Sequence, residues 1–259
     1  LYPIQTDGFI RRMTVVDSTL YFVAHEYPNY HNFELYTATS TQTRPRRVKD
    51  ILLGDPSSNP TNLTPLNGEL LFTVNDEIHG MELWKSASAT NADLLKDIYQ
   101  GTLDAGISTM AGYKHGVLFN ATDDLGNELW KSGGTSASTS LVDDIRLGST
   151  SSSPNAMFTD GDRAFFMATS TSTRLHYSDG KESGTGYINV GPSNKSFIEH
   201  MRVGNELFLT YREFSSNILY KYVSGSSGSK VVTINPSRLG DDIRNLTNFN
   251  GTLYFTADE

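Results

Sequence analysis

The residues best suited to chemistry fall in one short run, His25-Glu26-Tyr27-Pro28-Asn29-Tyr30-His31, which holds two imidazoles, two phenols and a carboxylate. Later segments add Asp76, Glu77 and His79, then Asp123 and Asp124, then Tyr211 and Arg212. Aromatic rings stack on the C–H faces of sugars and carboxylates accept from their hydroxyls, so this set reads as a ligand-binding rim. The same oxygens suit Ca²⁺, which takes six to eight oxygen ligands, and no other cofactor is expected. Polar residues are also what solvated loops carry without any function. His25, His31 and His79 match no metal-ligand spacing.

Catalytic signatures are missing from the sequence. It contains no Gly-x-Ser-x-Gly, no phosphate-binding loop and no dinucleotide fingerprint. Ser178-Asp179-Gly180 with Gly184-Thr185 looks a little like the Asp-box turn of sialidases, but the spacing differs and no aromatic closes it. No pattern selects three convergent arginines, and a carboxylate pair at glycosidase separation is not readable from sequence. No catalytic residue is assigned.

These residues must be held by a repeat. Gly80-Met81-Glu82-Leu83-Trp84-Lys85-Ser86 and Gly126-Asn127-Glu128-Leu129-Trp130-Lys131-Ser132 match closely, with a weaker copy at Phe33-Glu34-Leu35-Tyr36. Degenerate copies follow at Arg174-Leu175-His176-Tyr177 and Asn217-Ile218-Leu219-Tyr220. An apolar triplet precedes each copy, beginning at Leu20, Leu70, Val117, Ala164, Leu207 and Leu253, at steps of 43 to 50 residues. A closing motif reads Lys49-Asp50-Ile51, Lys96-Asp97-Ile98 and Asp143-Asp144-Ile145. The recurring Glu34, Glu82 and Glu128 and Asp50, Asp97 and Asp144 are expected to be structural, capping a turn or pairing with the strand lysine.

Each unit divides into four apolar runs, in the second unit 62–66, 69–74, 81–86 and 93–98. Asn67-Gly68 and Asn250-Gly251 are hairpin turns. Leu83 and Trp84 are neighbours and must point to opposite faces, so the sheet is covered on both sides. Four antiparallel strands per unit of about 47 residues is the arithmetic of a β-propeller blade. The expectation is an all-β chain forming a single β-propeller domain over 1–259, with units at about 8–51, 61–98, 108–145, 155–190, 197–234 and 243–259. Six blades are favoured, the last a composite closed by an N-terminal strand at 1–4. Five blades is the alternative. Arg44-Pro45-Arg46-Arg47 with Lys49 suits an outer strand that guards an exposed edge.

The Glu-Leu-Trp-Lys-Ser repeat, followed by Gly133-Gly134-Thr135 in the third unit and Ser178-Asp179-Gly180 in the fourth, resembles the ELWxxDGT repeat family of secreted and surface-displayed bacterial proteins. The resemblance implies a propeller-like array in an extracellular or cell-surface setting and carries no catalytic residues. The chain starts at Leu1, which suits a processed secreted product or part of something longer. The absence of cysteine fits an envelope or secreted protein without disulfide staples. A net charge of −8 argues against a nucleic-acid partner. No apolar run approaches the roughly 20 residues that span a bilayer, so no membrane insertion is expected.

The favoured function is a non-enzymatic binding, adhesion or display module that holds a glycan or a surface protein on one face. The alternatives are a carbohydrate-active enzyme, either a sialidase-like hydrolase or a polysaccharide lyase, and a structural spacer within a larger surface assembly.

Overall fold

The computed structural model describes residues 10–25, 32–54, 56–160, 162–189, 192–195, 197–213, 216–223, 229–232 and 243–257. The expected N-terminal strand at 1–4 lies outside them. The first sheet holds β1 (Arg11–Val16), β2 (Thr19–Ala24), β3 (Glu34–Thr39) and β4 (Arg46–Lys49). The second holds β5 (Thr61–Leu66), β6 (Glu69–Asn75), β7 (Met81–Ser88) and β8 (Asn91–Lys96). The third holds β9 (Met110–Tyr113), β10 (Gly116–Asp123), β11 (Gly126–Ser132) and β12 (Ser140–Asp143). The fourth holds β13 (Asn155–Asp160), β14 (Arg163–Thr169), β15 (Thr173–Ser178) and β16 (Gly186–Ile188). The fifth holds β17 (Phe197–Val203), β18 (Glu206–Glu213), β19 (Ser216–Val223) and β20 (Ser229–Val232), and a last hairpin pairs β21 (Arg244–Phe249) with β22 (Thr252–Thr256).

Strand order follows chain order in every four-stranded sheet. Two-residue turns set this order: Asn67 and Gly68 adopt φ 51° and 79°, and Asn250 and Gly251 adopt 51° and 78°. Such paired left-handed turns match the twist of an antiparallel hairpin, and they place Leu66 opposite Glu69 and Phe249 opposite Thr252.

The chain forms two compact units, Leu1–Ala164 and Phe165–Glu259. In the first, the two-residue period of β6 divides its side chains between two cores. Leu70, Phe72 and Val74 pack with Val16, Tyr21, Leu35 and Val48 of the first sheet. Leu71, facing the other way, packs with Val117, Phe119 and Ala121 of the third. Likewise Leu83 joins the second core and Trp84 the first, both buried. Each such buried side chain contributes about 1.5–3 kcal/mol of apolar burial. In the second unit, Phe208 and Leu219 pack with Ile243 and Leu246, which brings β21 against β17.

The repeated acidic residues do structural work. Glu82 is fully buried and accepts from the Ile98 and Tyr99 amides at 2.8 and 3.1 Å. Glu128 accepts from the Ile145 amide at 2.9 Å and from the Ser152 amide and hydroxyl, both at 2.6 Å. Glu34 repeats this with Ser58. Asp97 and Asp144 accept from the Gly101 and Gly148 amides and close the turn after the outer strand. Turn capping is therefore the role of these residues, and Lys85 pairs instead with Glu69 at 3.1 Å.

Candidate functional site

Strand register decides which residues share an end of the sheets. Arg11 lies opposite Val23, Thr61 opposite Thr73 and Met110 opposite Phe119. The starts of β1, β5 and β9 therefore lie at the end where the chain leaves β2, β6 and β10. A clasp repeats there, between the start of each third strand and the connection to the next sheet. The Phe33 amide donates to Ser57 Oγ at 2.9 Å and the Asn59 amide to the Phe33 carbonyl at 2.9 Å. The Met81 amide donates to Asp104 Oδ1 at 2.6 Å, and the Ala105 amide returns to the Met81 carbonyl at 3.1 Å. Asn127 with Ser151 and Ser153, and Thr173 with Asn194, complete the series.

At this end of the first unit lies a pocket of about 530 Å³, lined by Arg12, Met13, Thr61, Asn62, Leu63, Ile107 and Ser108. Its shape comes from bulges in the innermost strands. The β1–β2 register shifts between Arg11 and Thr14, and the β5–β6 register shifts between Thr61 and Thr64. A bulge inserts an unpaired residue and re-aims its side chain. At the bulges Arg12 and Asn62 sit at φ 48° and 53°. Asn62 Nδ2 donates to the Ile107 carbonyl at 3.0 Å and to Thr73 Oγ1 at 3.1 Å, which ties β5 to the approach of β9. Ser108 is held through its amide on Asn120 Oδ1 at 2.9 Å. The lining thus joins a guanidinium, an amide and hydroxyls to the apolar groups of Met13, Leu63 and Ile107. Among the described residues the lining includes no carboxylate and no imidazole.

The sequence-predicted residues occupy several settings. His25 is buried and meets the Phe33 ring edge-on at 5.0 Å, so it packs beneath the surface. Glu26, Tyr27, Tyr30 and His31 lie outside the described residues. Asp76 and His79 are brought together: Asp76 Oδ2 lies 2.7 Å from His79 Nδ1, and Oδ1 accepts from the Ile78 and His79 amides. Burial would raise the Asp76 pKa, but its hydrogen bonds from the His79 amide and ring and the Ile78 amide outweigh that and lower it. The hydrogen bond that the His79 ring donates to Asp76 raises the His79 pKa. Glu77 is exposed at φ 61° with its amide on Asn75 Oδ1. Asp123 accepts from the Leu125 amide at 2.8 Å and Asp124 is exposed.

In the second unit Tyr211 is buried edge-on against Tyr220 at 5.6 Å. That burial, with Tyr220 beside it, pushes its pKa up. Arg212 is exposed on β18 opposite Asn217. Among the described residues, no three His, Cys, Asp or Glu side chains converge to hold a metal ion.

The Ser178–Thr185 segment is scaffold. Ser178 Oγ and Thr185 Oγ1 lie 2.8 Å apart across a short 3₁₀ turn, and Ser132 with Thr139 repeats the pair at 2.8 Å in the third sheet. Sequence reasoning missed the pocket, whose one detectable signal was Arg12 at a place that Asn62 and Asn245 take in other units.

No protein-family model matches the chain, and no curated sequence matches it. Solved structures do. A catalytically inactive virginiamycin B lyase from Staphylococcus aureus with quinupristin aligns at TM-score 0.55 and 14% identity, over 99% of this chain and 80% of that one. A GH74 xyloglucanase from Xanthomonas campestris aligns at TM-score 0.52 and 12% identity, over 83% of this chain and 36% of that one. A puromycin hydrolase aligns at TM-score 0.50 and 15% identity, over 78% of this chain and 33% of that one. The chain spans about a third of the length of the last two. The protein is an all-β chain of the β-propeller class, built from four-stranded antiparallel sheets. A lyase and two hydrolases share that class, so the fold accommodates binding and catalysis alike.

Proposed function

We propose that this chain is a non-enzymatic binding module that takes a glycan or a protein partner at the end of the first unit where β1, β5 and β9 begin. The pocket between the inner strands carries this reading. It offers mixed polar and apolar contacts drawn from consecutive sheets, and among the described residues its lining supplies no carboxylate or imidazole for proton transfer. The repeated Glu82 and Glu128 accept from turn amides and belong to the scaffold. The Glu-Leu-Trp repeat and its likeness to the ELWxxDGT family support an extracellular or surface-displayed setting and six blades, the last a composite.

The test is a glycan array and a partner pull-down with the wild-type chain and with Ser108→Trp, which fills the pocket from an exposed position. Binding lost in Ser108→Trp at unchanged melting temperature supports the reading, and binding retained removes the pocket as the site. A triple alanine variant at Tyr27, Tyr30 and His31 tests the His25–His31 run in the same screen.

A further inference from the structure

The second residue of the innermost strand is left-handed in several sheets: Arg12 at φ 48°, Asn62 at 53°, Ala156 at 49° and Asn245 at 57°. Asparagine enters this region more readily than other side chains because its short amide bonds locally, whereas a long side chain only bears the steric cost. The second and last sheets use asparagine there. The first sheet places an arginine at the strained position, and that arginine lines the pocket. The same conformation falls on Ala156 as well, and residues so strained cluster at ligand sites.

The arginine's surroundings suggest the use. Its Nη1 donates to Asn59 Oδ1 at a long 3.4 Å, and among the described residues no carboxylate lies within ion-pair reach of it. Arg11 beside it is placed differently, with its guanidinium 4.4 Å from the centre of the Phe33 ring. Asn62 has already directed its amide protons to the Ile107 carbonyl and the Thr73 hydroxyl, which leaves Arg12 as the strong donor of the pocket. Around it stand Met13, which is 66% exposed, the half-buried Leu63 and, beneath them, the buried Ile107. An exposed cation beside the exposed aliphatic chain of Met13 complements an anion on an apolar body.

We infer that the pocket binds a carboxylate attached to an aliphatic body, with Arg12 as the anion anchor and Met13, Leu63 and Ile107 as the apolar wall. This rests on the pocket being the recognition site. The same chemistry is offered by a free aliphatic acid and by the C-terminal residue of a peptide.

The experiment is an NMR titration of the full chain with hexanoate, with N-acetylglycylleucine and with the neutral hexanamide. It is repeated on Arg12→Asn, which suits the backbone, and on Ser108→Trp. We expect at least one of the two acids to bind at least about tenfold more tightly than the amide, the worth of one charge-assisted hydrogen bond. Arg12→Asn should abolish that preference while melting no lower than the wild type, and Ser108→Trp should block acid and amide together. The tighter acid identifies the source as a free acid or a chain end. Equal binding of acid and amide, no binding by either acid, or a preference that survives Arg12→Asn overturns the anion anchor and leaves the binding reading to the array and pull-down. Acid binding undiminished in Ser108→Trp overturns both.

Discussion

The Glu82 carboxylate accepts a hydrogen bond from the Ile98 amide at 2.8 Å, sixteen residues along the chain, and so ties the start of β7 to the residues that leave β8. Glu34 with Ile51 and Glu128 with Ile145 repeat the relationship at 3.5 and 2.9 Å. The acid of the repeat thus joins the third strand of each sheet to the turn that leads onward, and a short carboxylate supplies two acceptors where the amides have no strand partner.

Burial pushes the Glu82 pKa up to about 7, against its hydrogen bonds from Ile98 and Tyr99 and with Asp97 adding to the rise, and it raises Glu34 and Glu128 in the same direction. A carboxylate whose folded pKa exceeds its unfolded value holds more protons when folded, so its contribution to stability is full below the unfolded pKa and falls as pH rises through the folded one. The stability difference between wild type and Glu82→Gln should therefore shrink from pH 4.5 to pH 8. Denaturant unfolding of both proteins across that range measures it. A difference that grows with pH contradicts the assignment.

Glu82→Gln should also destabilise at pH 4.5, where the wild-type contribution is full, because the carboxamide presents donors to one of two buried amides. A cost of about 1–3 kcal/mol follows from one buried donor left unsatisfied, readable as a shift in urea midpoint at constant slope.

Gly80 adopts φ 73°, and a Cβ there would lie 2.7 Å from the Leu103 carbonyl carbon. Gly80→Ala should cost about 2–3 kcal/mol through strain and the displaced connection. Amide exchange should quicken first at Met81 and Ala105, which the clasp binds together. Protection unchanged at both would refute the clasp.

Thr185→Val should cost about 1–2 kcal/mol, because it leaves buried Ser178 and the Lys181 carbonyl short of a partner. A double-mutant cycle with Ser178→Ala isolates the pair, with an expected coupling of about 1 kcal/mol. Zero coupling would show that the two hydroxyls act separately.

Arg12→Asn should stabilise the chain by about 1 kcal/mol, since asparagine tolerates the left-handed bulge that arginine resists. Thermal melting measures the gain, and a loss of stability would mean that Arg12 holds the fold rather than a ligand.

Much of the scaffold was legible because it repeats. Leu83 and Trp84 announced a sheet covered on both faces, and they indeed enter two different cores. Asn67-Gly68 marked its hairpin, since few residue pairs accept two left-handed conformations in succession. The structural role of Glu82 could be inferred from its recurrence, but its partners could not, because they lie sixteen or more residues on. His25 shows the limit of reading from residue type: its imidazole suits a binding rim, and its burial against Phe33 is set by packing that composition does not encode.

The sequence by itself determined the all-β architecture, the four-stranded unit and the structural standing of the Glu-Leu-Trp motif, because strand alternation and turn chemistry are local and a fixed period multiplies their signal. Only the tertiary structure decided the pocket. Arg12 and Asn62 lie on the first strands of two successive sheets and Ile107 on the approach to the first strand of the next. Bulges in the backbone aim them together, and a bulge is a matter of register between paired strands, which no single strand's residues reveal.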